Sequence, residues 1–118
     1  MKNNIVVSKS KLFALRIIKL YQYLTDNYRI SPIAKQILKS GTSVGANVKE
    51  AIRAQSKADF YSKMNIALKE CSETEYWLEL LHESEYISKE QFDSIYSDCE
   101  EIIKILVSIT KTQKNNNS

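Results

Sequence analysis

The sequence contains one pair of residues with metal-ligand spacing, Glu79 and His82. A Glu-x-x-His pair is half of the ligand set of di-iron carboxylate bundles, which use two such pairs. His82 is the chain's single histidine, and Glu79 falls roughly 100° from the centre of its helical apolar stripe. No sequence pattern pairs His82 with a Ser or Cys nucleophile. We therefore predict no metal site, no cofactor, no catalytic residues and no enzymatic activity.

Both glycines of the chain, Gly41 and Gly45, lie in a run of small residues over 40–51. A Walker phosphate loop needs G-x-x-x-x-G-K-[ST] after a strand, whereas these glycines are closer together and follow no β pattern. The helical periodicity continues through both, although each costs roughly 1 kcal/mol relative to alanine. We interpret them as a small-xxx-small surface that admits a neighbouring helix backbone.

Charge is distributed unevenly along the chain. Residues 1–55 contain ten Lys or Arg and two acids, a balance of +8, whereas residues 56–118 contain seven against twelve, a balance of −5. Either the basic helices pair with acidic helices, or they present a surface to a polyanion such as RNA or DNA. The candidate nucleic-acid-binding residues are Arg16, Lys19, Lys35, Lys39, Lys49 and Arg53.

Four segments carry helical apolar periodicity, and short links separate them. The predicted helices cover residues 9–28, 32–55, 57–83 and 89–112. Long helices with short links predict a single domain over residues 1–118, with an all-α fold: an antiparallel up-and-down four-helix bundle. The polar tail, residues 113–118, is predicted to be disordered.

Serines mark the predicted helix starts. Ser8 or Ser10 is expected to cap the first helix after a weakly ordered lead-in, and Ser31 the second, just ahead of a proline. Ser56 and Ser88 open capping-box patterns before the third and fourth helices.

Apolar residues also occur away from the predicted core stripes, which indicates self-association because exposed rows of large aliphatics are costly in a monomer. The residues predicted to serve helix packing or assembly are Gly41, Gly45, Asn47, Leu12, Leu15, Ile18 and Trp77. Asn47 lies on an inward face with Ser40, as does Thr74 on the next helix. These polar groups form either a network that fixes helix register or part of a ligand site.

Cys71 and Cys99 lie on inward faces, which favours buried thiols in a reducing compartment over a disulfide. No apolar run approaches the roughly 20 residues of a membrane span, and the N-terminus lacks a signal-peptide pattern. We therefore expect a cytoplasmic protein without a membrane partner.

Small residues, Asn and Glu recur in a specific order over residues 36–51, 59–70 and 73–78. In these segments the chain is similar to the bacterial four-helix bundle proteins first noticed as reading frames in the intervening sequences of 23S ribosomal RNA genes. The resemblance implies a ring-like homopentamer. In a related branch, the accessory proteins of diversity-generating retroelements, a basic outer surface engages nucleic acid and a reverse transcriptase. Lys39 stands where the family commonly has Arg, and Lys49 where an apolar or acidic residue is usual.

The resulting hypothesis is a non-enzymatic homo-oligomer that binds RNA or other nucleic acid without sequence readout, or contacts a nucleic-acid-processing protein. The alternative is a structural or protein-interaction oligomer whose basic helices are occupied by acidic ones.

Overall fold

The computed structural model describes the backbone of residues 2–117 and the side chains of residues 3–112. Its helices are α1 (Lys2–Asn27), α2 (Ser31–Ile52), α3 (Lys57–Glu83) and α4 (Lys89–Asn117). The described part of the chain contains no strand. The predicted all-α fold is confirmed.

The four helices form a square in section. Helix α1 packs against α2 and α4, α2 packs against α3, and α3 packs against α4. The links are so short that each helix returns beside the one before it, which gives an antiparallel bundle 48 Å long and 22 by 21 Å across. The largest fully buried side chains include Phe13, Ile17, Leu24, Ile37, Met64, Leu78, Leu81, Ile102 and Leu106.

The start of α1 differs from the prediction. The helix begins at Lys2 instead of about residue 9, and Val6 is fully buried in the core. Ser8 and Ser10 therefore lie inside the helix and do not cap it, and the Ser10 hydroxyl donates to the Val7 carbonyl. No glycine or proline occurs before residue 32, so nothing in the sequence stops the helix from extending towards the N-terminus.

The predicted cap of α2 is also wrong. Ser31 is the first helical residue, and Ile30 occupies the cap position without a side-chain hydrogen bond. In contrast, the Ser56 hydroxyl accepts from the Asp59 amide at the start of α3. Ser88 and Gln91 form a reciprocal capping box, at 2.8 and 3.1 Å, before α4. Both predicted starts with an acceptor side chain three residues later are thus correct.

The helix ends shift as well. Helix α2 stops at Ile52 instead of residue 55, because the chain turns before Ser56 caps α3. Helix α4 continues to Asn117, where the sequence predicted an end at 112 and a disordered tail over 113–118; no glycine or proline interrupts it. Ser118 lies outside the described residues.

Candidate nucleic-acid interface

The outward side of α2 carries a row of basic side chains. We name the four residues the α2 ridge: Lys35, Lys39, Lys49 and Arg53. All four are exposed: the three lysines lie opposite the stripe of buried residues that packs against α1 and α3, and Arg53 directly follows the last helical residue. At 1.5 Å of rise per residue, the ridge extends about 27 Å along the helix axis.

None of the four ridge cations makes an ion pair with any residue whose side chain the structure describes. The acid next to the ridge, Glu50, instead pairs with Lys63 of α3 at 3.3 Å. Lys49 and Arg53 line an open cleft of about 510 Å³ at the corner between α2 and α3, together with the acids Glu50 and Asp59. The ridge cations are therefore exposed and unpaired among the described side chains, with carboxylates nearby at one end.

Arg16, the first candidate cation of α1, already interacts with residues of α4. Its Nη1 lies 2.6 Å from Asp98 Oδ2 of α4, and its Nη2 donates to the Ser94 hydroxyl at 2.9 Å. Two turns earlier, Lys9 pairs with Glu101 at 2.9 Å. Lys19 remains exposed and borders a groove of about 340 Å³ between α1 and α4. Arg16 thus differs from the residues of the α2 ridge in two ways: it lies on another helix, and its charge is paired within the subunit.

The two glycines lie on the side of α2 that faces α1. A Cβ at Gly41 would lie 2.7 Å from Ile17 Cγ1 and 2.8 Å from its Cγ2. A Cβ at Gly45 would lie 3.3 Å from the Ser10 carbonyl oxygen. Gly41 is buried, whereas Gly45 is half-buried and forms part of an open groove bordered by Lys11 and Lys49. The close neighbour of this surface is therefore α1 of the same subunit.

The inward polar residues divide into two arrangements. The Thr74 and Ser40 hydroxyls hydrogen-bond across the interface between α3 and α2 at 2.8 Å, and both residues are buried. Asn47 is half-buried and donates to the Ser43 carbonyl of its own helix at 2.9 Å. The cross-helix bond between Ser40 and Thr74 links α2 to α3 at one level, whereas the hydrogen bond of Asn47 stays within α2.

An apolar row lies on the outer side of α1. Leu12, Leu15 and Ile18 are 61%, 50% and 40% exposed, and we name them the α1 apolar face. Trp77 does not extend an outer surface of this kind, because it is half-buried and packs against the core. Its indole nitrogen is buried with no hydrogen-bond partner among the described residues.

Glu79 and His82 each contact α4 by a different interaction. Tyr96 donates its hydroxyl proton to Glu79 at 2.6 Å, and this bond raises the pKa of Tyr96 above its ordinary value, with burial adding to the shift. His82 stacks on Phe92 with ring centroids 4.3 Å apart. The described residues contain no group of three or more His, Cys, Asp or Glu placed to hold a metal ion.

Two of these contacts have no clear signal in the sequence. The spacing of α3 and α4 residues gives no indication that Tyr96 faces Glu79, or that Asp98 reaches Arg16. Both depend on how far each helix is rotated about its own axis, which periodicity fixes only to within a broad sector. Over the part of the chain that the structure describes, none of the helices contains an apolar stretch of the length that a membrane span requires.

A family model described as 23S rRNA-intervening sequence protein matches residues 2–108. The chain is also similar to a solved protein from Bacteroides thetaiotaomicron, described as a protein of unknown function from the S23 ribosomal protein family. The two sequences are 56% identical, the match covers 94% of this chain and 99% of that one, and the TM-score is 0.88. No curated protein matches the chain.

Proposed function

The chain belongs to the 23S rRNA-intervening sequence protein family, and from this premise we propose that it is a non-enzymatic, cytoplasmic homo-oligomer that binds RNA or other nucleic acid through the α2 ridge. Binding rests on phosphate contacts and does not read the sequence, because the ridge is a row of exposed cations on one helix surface, the kind of group that makes most contacts to phosphate oxygens. A protein that processes nucleic acid is the partner class that would share such a site.

The observation that carries the nucleic-acid proposal is the absence of described ion-pair partners for the ridge. Lys9 and Arg16 of α1 are paired with acids of α4, so their charge is already compensated within the subunit. The ridge cations have no such compensation among the described side chains, and they are spread over about 27 Å of helix. Such a row can contact several phosphates of one strand.

Assembly is supported by the α1 apolar face. Three large aliphatic side chains in a row, each at least 40% exposed, are typical of a surface that is covered by another protein. The basic half of the sequence (+8) and the acidic half (−5) occupy opposite sides of the bundle. Opposite charge favours a head-to-tail contact over a two-fold contact that places like against like, and a head-to-tail contact generates a ring when the rotation between neighbouring subunits closes. We propose the homopentamer implied by the family resemblance.

A ring also strengthens weak binding. Each subunit contributes one ridge, so a strand that contacts two or more ridges dissociates far more slowly than from one. The modest net charge of +3 is then sufficient for a useful affinity.

The alternative function is a structural or protein-interaction oligomer without nucleic-acid binding. The specific observation in its favour is the pairing of Lys9 and Arg16 with α4 acids, because it means that one basic helix, α1, already has acidic partners within the subunit. In this alternative, an acidic helix of a second protein covers the α2 ridge.

Binding of labelled single-stranded RNA, measured by fluorescence anisotropy at two salt concentrations, tests the proposal. For an RNA short enough to contact a single ridge, four released counterions give a slope of log K against log salt of about −3, which is about a 50-fold loss of affinity between 50 and 200 mM salt. Reversal of all four ridge cations to Glu is expected to abolish binding at low salt. The matched control reverses four exposed cations of α3 and α4, Lys57, Lys69, Lys104 and Lys111, and retains most of the affinity.

Equal losses in both variants, or binding that does not respond to salt, would contradict the ridge as the site. Assembly is measured separately by light scattering at micromolar concentration. Leu15→Glu is expected to dissociate the oligomer, whereas the control Ile52→Glu, at a residue 46% exposed at the end of α2, leaves it intact. A monomeric wild-type protein would contradict the assembly proposal.

A further inference from the structure

The two cysteines of the chain face each other inside the bundle. Cys71 of α3 and Cys99 of α4 are both fully buried, are free thiols, and lie 28 positions apart in the sequence. Their Sγ atoms are 3.6 Å apart. This is contact distance between sulfur atoms, so a rotation of the side chains and a small approach of the helices would bring them to bonding distance.

The surroundings of the pair indicate that the backbones of α3 and α4 lie close to each other's side chains at this level. The Cys71 thiol lies 3.6 Å from the Cys99 carbonyl oxygen, and the Cys99 thiol lies 3.4 Å from the Cys71 carbonyl oxygen. Each sulfur therefore reaches the backbone of the opposite helix. Larger side chains would hold the helices further apart, and the separation of the two Cα atoms would then exceed what a disulfide can bridge.

We propose that Cys71 and Cys99 form an oxidisable dithiol, which a hydroperoxide such as hydrogen peroxide converts to a disulfide that ties α3 to α4. This site is independent of the α2 ridge and of the assembly surface.

The chemistry balances in two steps. In the first, one sulfur attacks a peroxide oxygen, the O–O bond breaks, and a sulfenic acid forms as the thiol proton and the released hydroxide leave as water. In the second, the other sulfur attacks the sulfenic sulfur, the S–S bond forms, the S–O bond breaks, and a second water leaves. Two thiols lose two protons and two electrons, and one peroxide is reduced to two waters.

The closed bundle protects the pair from rapid oxidation. The hydrogen bond to Cys71 raises the pKa of the Cys99 thiol, and burial and the nearby carboxylates of Glu75 and Glu100 raise it further. Only the thiolate is an effective nucleophile, and the side chains are closed to solvent. The reaction is therefore slow in the folded state and proceeds through partial separation of α4 from α3, which exposes the sulfurs.

The test treats the folded wild-type protein with hydrogen peroxide, removes the peroxide, blocks remaining thiols with N-ethylmaleimide in denaturant, and maps tryptic peptides by mass spectrometry without reduction. Cleavage at lysine places Cys71 in the peptide 70–89 and Cys99 in the peptide 90–104. The expected product is the two peptides linked, lighter by two hydrogens than their sum, and separated again by dithiothreitol. Sub-denaturing urea is expected to increase the rate of linking several-fold.

The linked protein is expected to melt about 5–15 °C higher than the reduced protein, because the bond restricts the unfolded chain. The matched control, Cys99→Ala, is expected to show no shift and to accumulate oxidised Cys71 without an intrachain link. Mapping of the wild-type protein decides the proposal even if that variant folds poorly. Separate, over-oxidised peptides, or links only between like cysteines of two copies, would overturn it.

Discussion

The interface between α1 and α2 and the interface between α1 and α4 hold the same helix by different means. Against α2, helix α1 lies so close that Gly41 has no room for a Cβ beside Ile17. Against α4, it is linked by the charged pairs Lys9–Glu101 and Arg16–Asp98, whose side chains are 40–54% exposed. The first interface depends on the absence of a side chain, the second on the presence of long ones.

This difference determines where the bundle tolerates substitution. A buried close contact responds to a single added methyl group, because the interior has few voids to absorb it. Exposed ion pairs are worth about 0–1 kcal/mol each, since water and salt screen them. The first interface is therefore expected to be sensitive to sequence, and the second to be permissive.

The largest effect is expected from Gly41→Ala. The added Cβ overlaps the stiff, β-branched Ile17, which is fully buried, and the variant should lose about 1–3 kcal/mol of unfolding free energy despite the better helix propensity of alanine. Urea unfolding of the purified protein measures the loss.

The control for Gly41→Ala is the same substitution in an Ile17→Ala background. There the overlap is gone, and alanine at 41 should stabilise the protein by about 1 kcal/mol through helix propensity. If Gly41→Ala has the same sign in both backgrounds, the contact with Ile17 does not explain the glycine.

A smaller effect is expected from the Arg16–Asp98 pair. A double-mutant cycle with Arg16→Ala and Asp98→Ala should give a coupling free energy of about 0.5–1 kcal/mol, because the pair is short and shares a hydrogen bond with Ser94. Repeating the cycle in 1 M salt should reduce the coupling. A coupling above about 2 kcal/mol would show that this interface is not permissive.

The smallest effect is expected from the Lys9–Glu101 pair. Both side chains are at least 40% exposed and make one contact at 2.9 Å, so the same cycle should give a coupling of about 0–0.5 kcal/mol. A coupling as large as that of Arg16–Asp98 would mean that the additional hydrogen bond of Arg16 contributes nothing measurable.

The sequence predicted the architecture well where the signal was periodic. The fold class, the start of α3 at Ser56 and the start of α4 at Ser88 follow from apolar spacing and capping chemistry. The start of α1 does not, because Ser8 and Ser10 look like caps while no residue before them forbids a helix. Where a helix end has no glycine, no proline and no capping side chain, no sequence pattern marks its position.

The candidate nucleic-acid site was predictable only in part, because the helical repeat fixes the face on which a residue lies but not its contacts with other helices. Positions of the ridge on one sector of α2 follow from the helical repeat, and the structure places those residues on the outside. The ion pair between Arg16 and Asp98 could not be predicted from the sequence, because it depends on how α1 and α4 are rotated relative to each other. The structure also distinguishes Gly41, which is buried against Ile17, from Gly45, which borders an open groove, although the sequence presents them as equivalent.

Two residues after the end of α3 lies Glu85, the one non-glycine residue with a left-handed backbone among the described positions, at φ 66°. The Glu85 and Tyr86 amides donate to the His82 and Leu81 carbonyls, the hydrogen-bond pattern for which glycine is the usual residue. The two glycines of the chain thus lie inside a helix, where glycine is destabilising. The turn at residue 85, where glycine is favoured, has a glutamate instead. Glycine at 85 would remove a cost of about 1 kcal/mol, and every glutamate codon becomes a glycine codon by one base change. A single base change that gives Glu85→Gly is therefore expected to stabilise the protein.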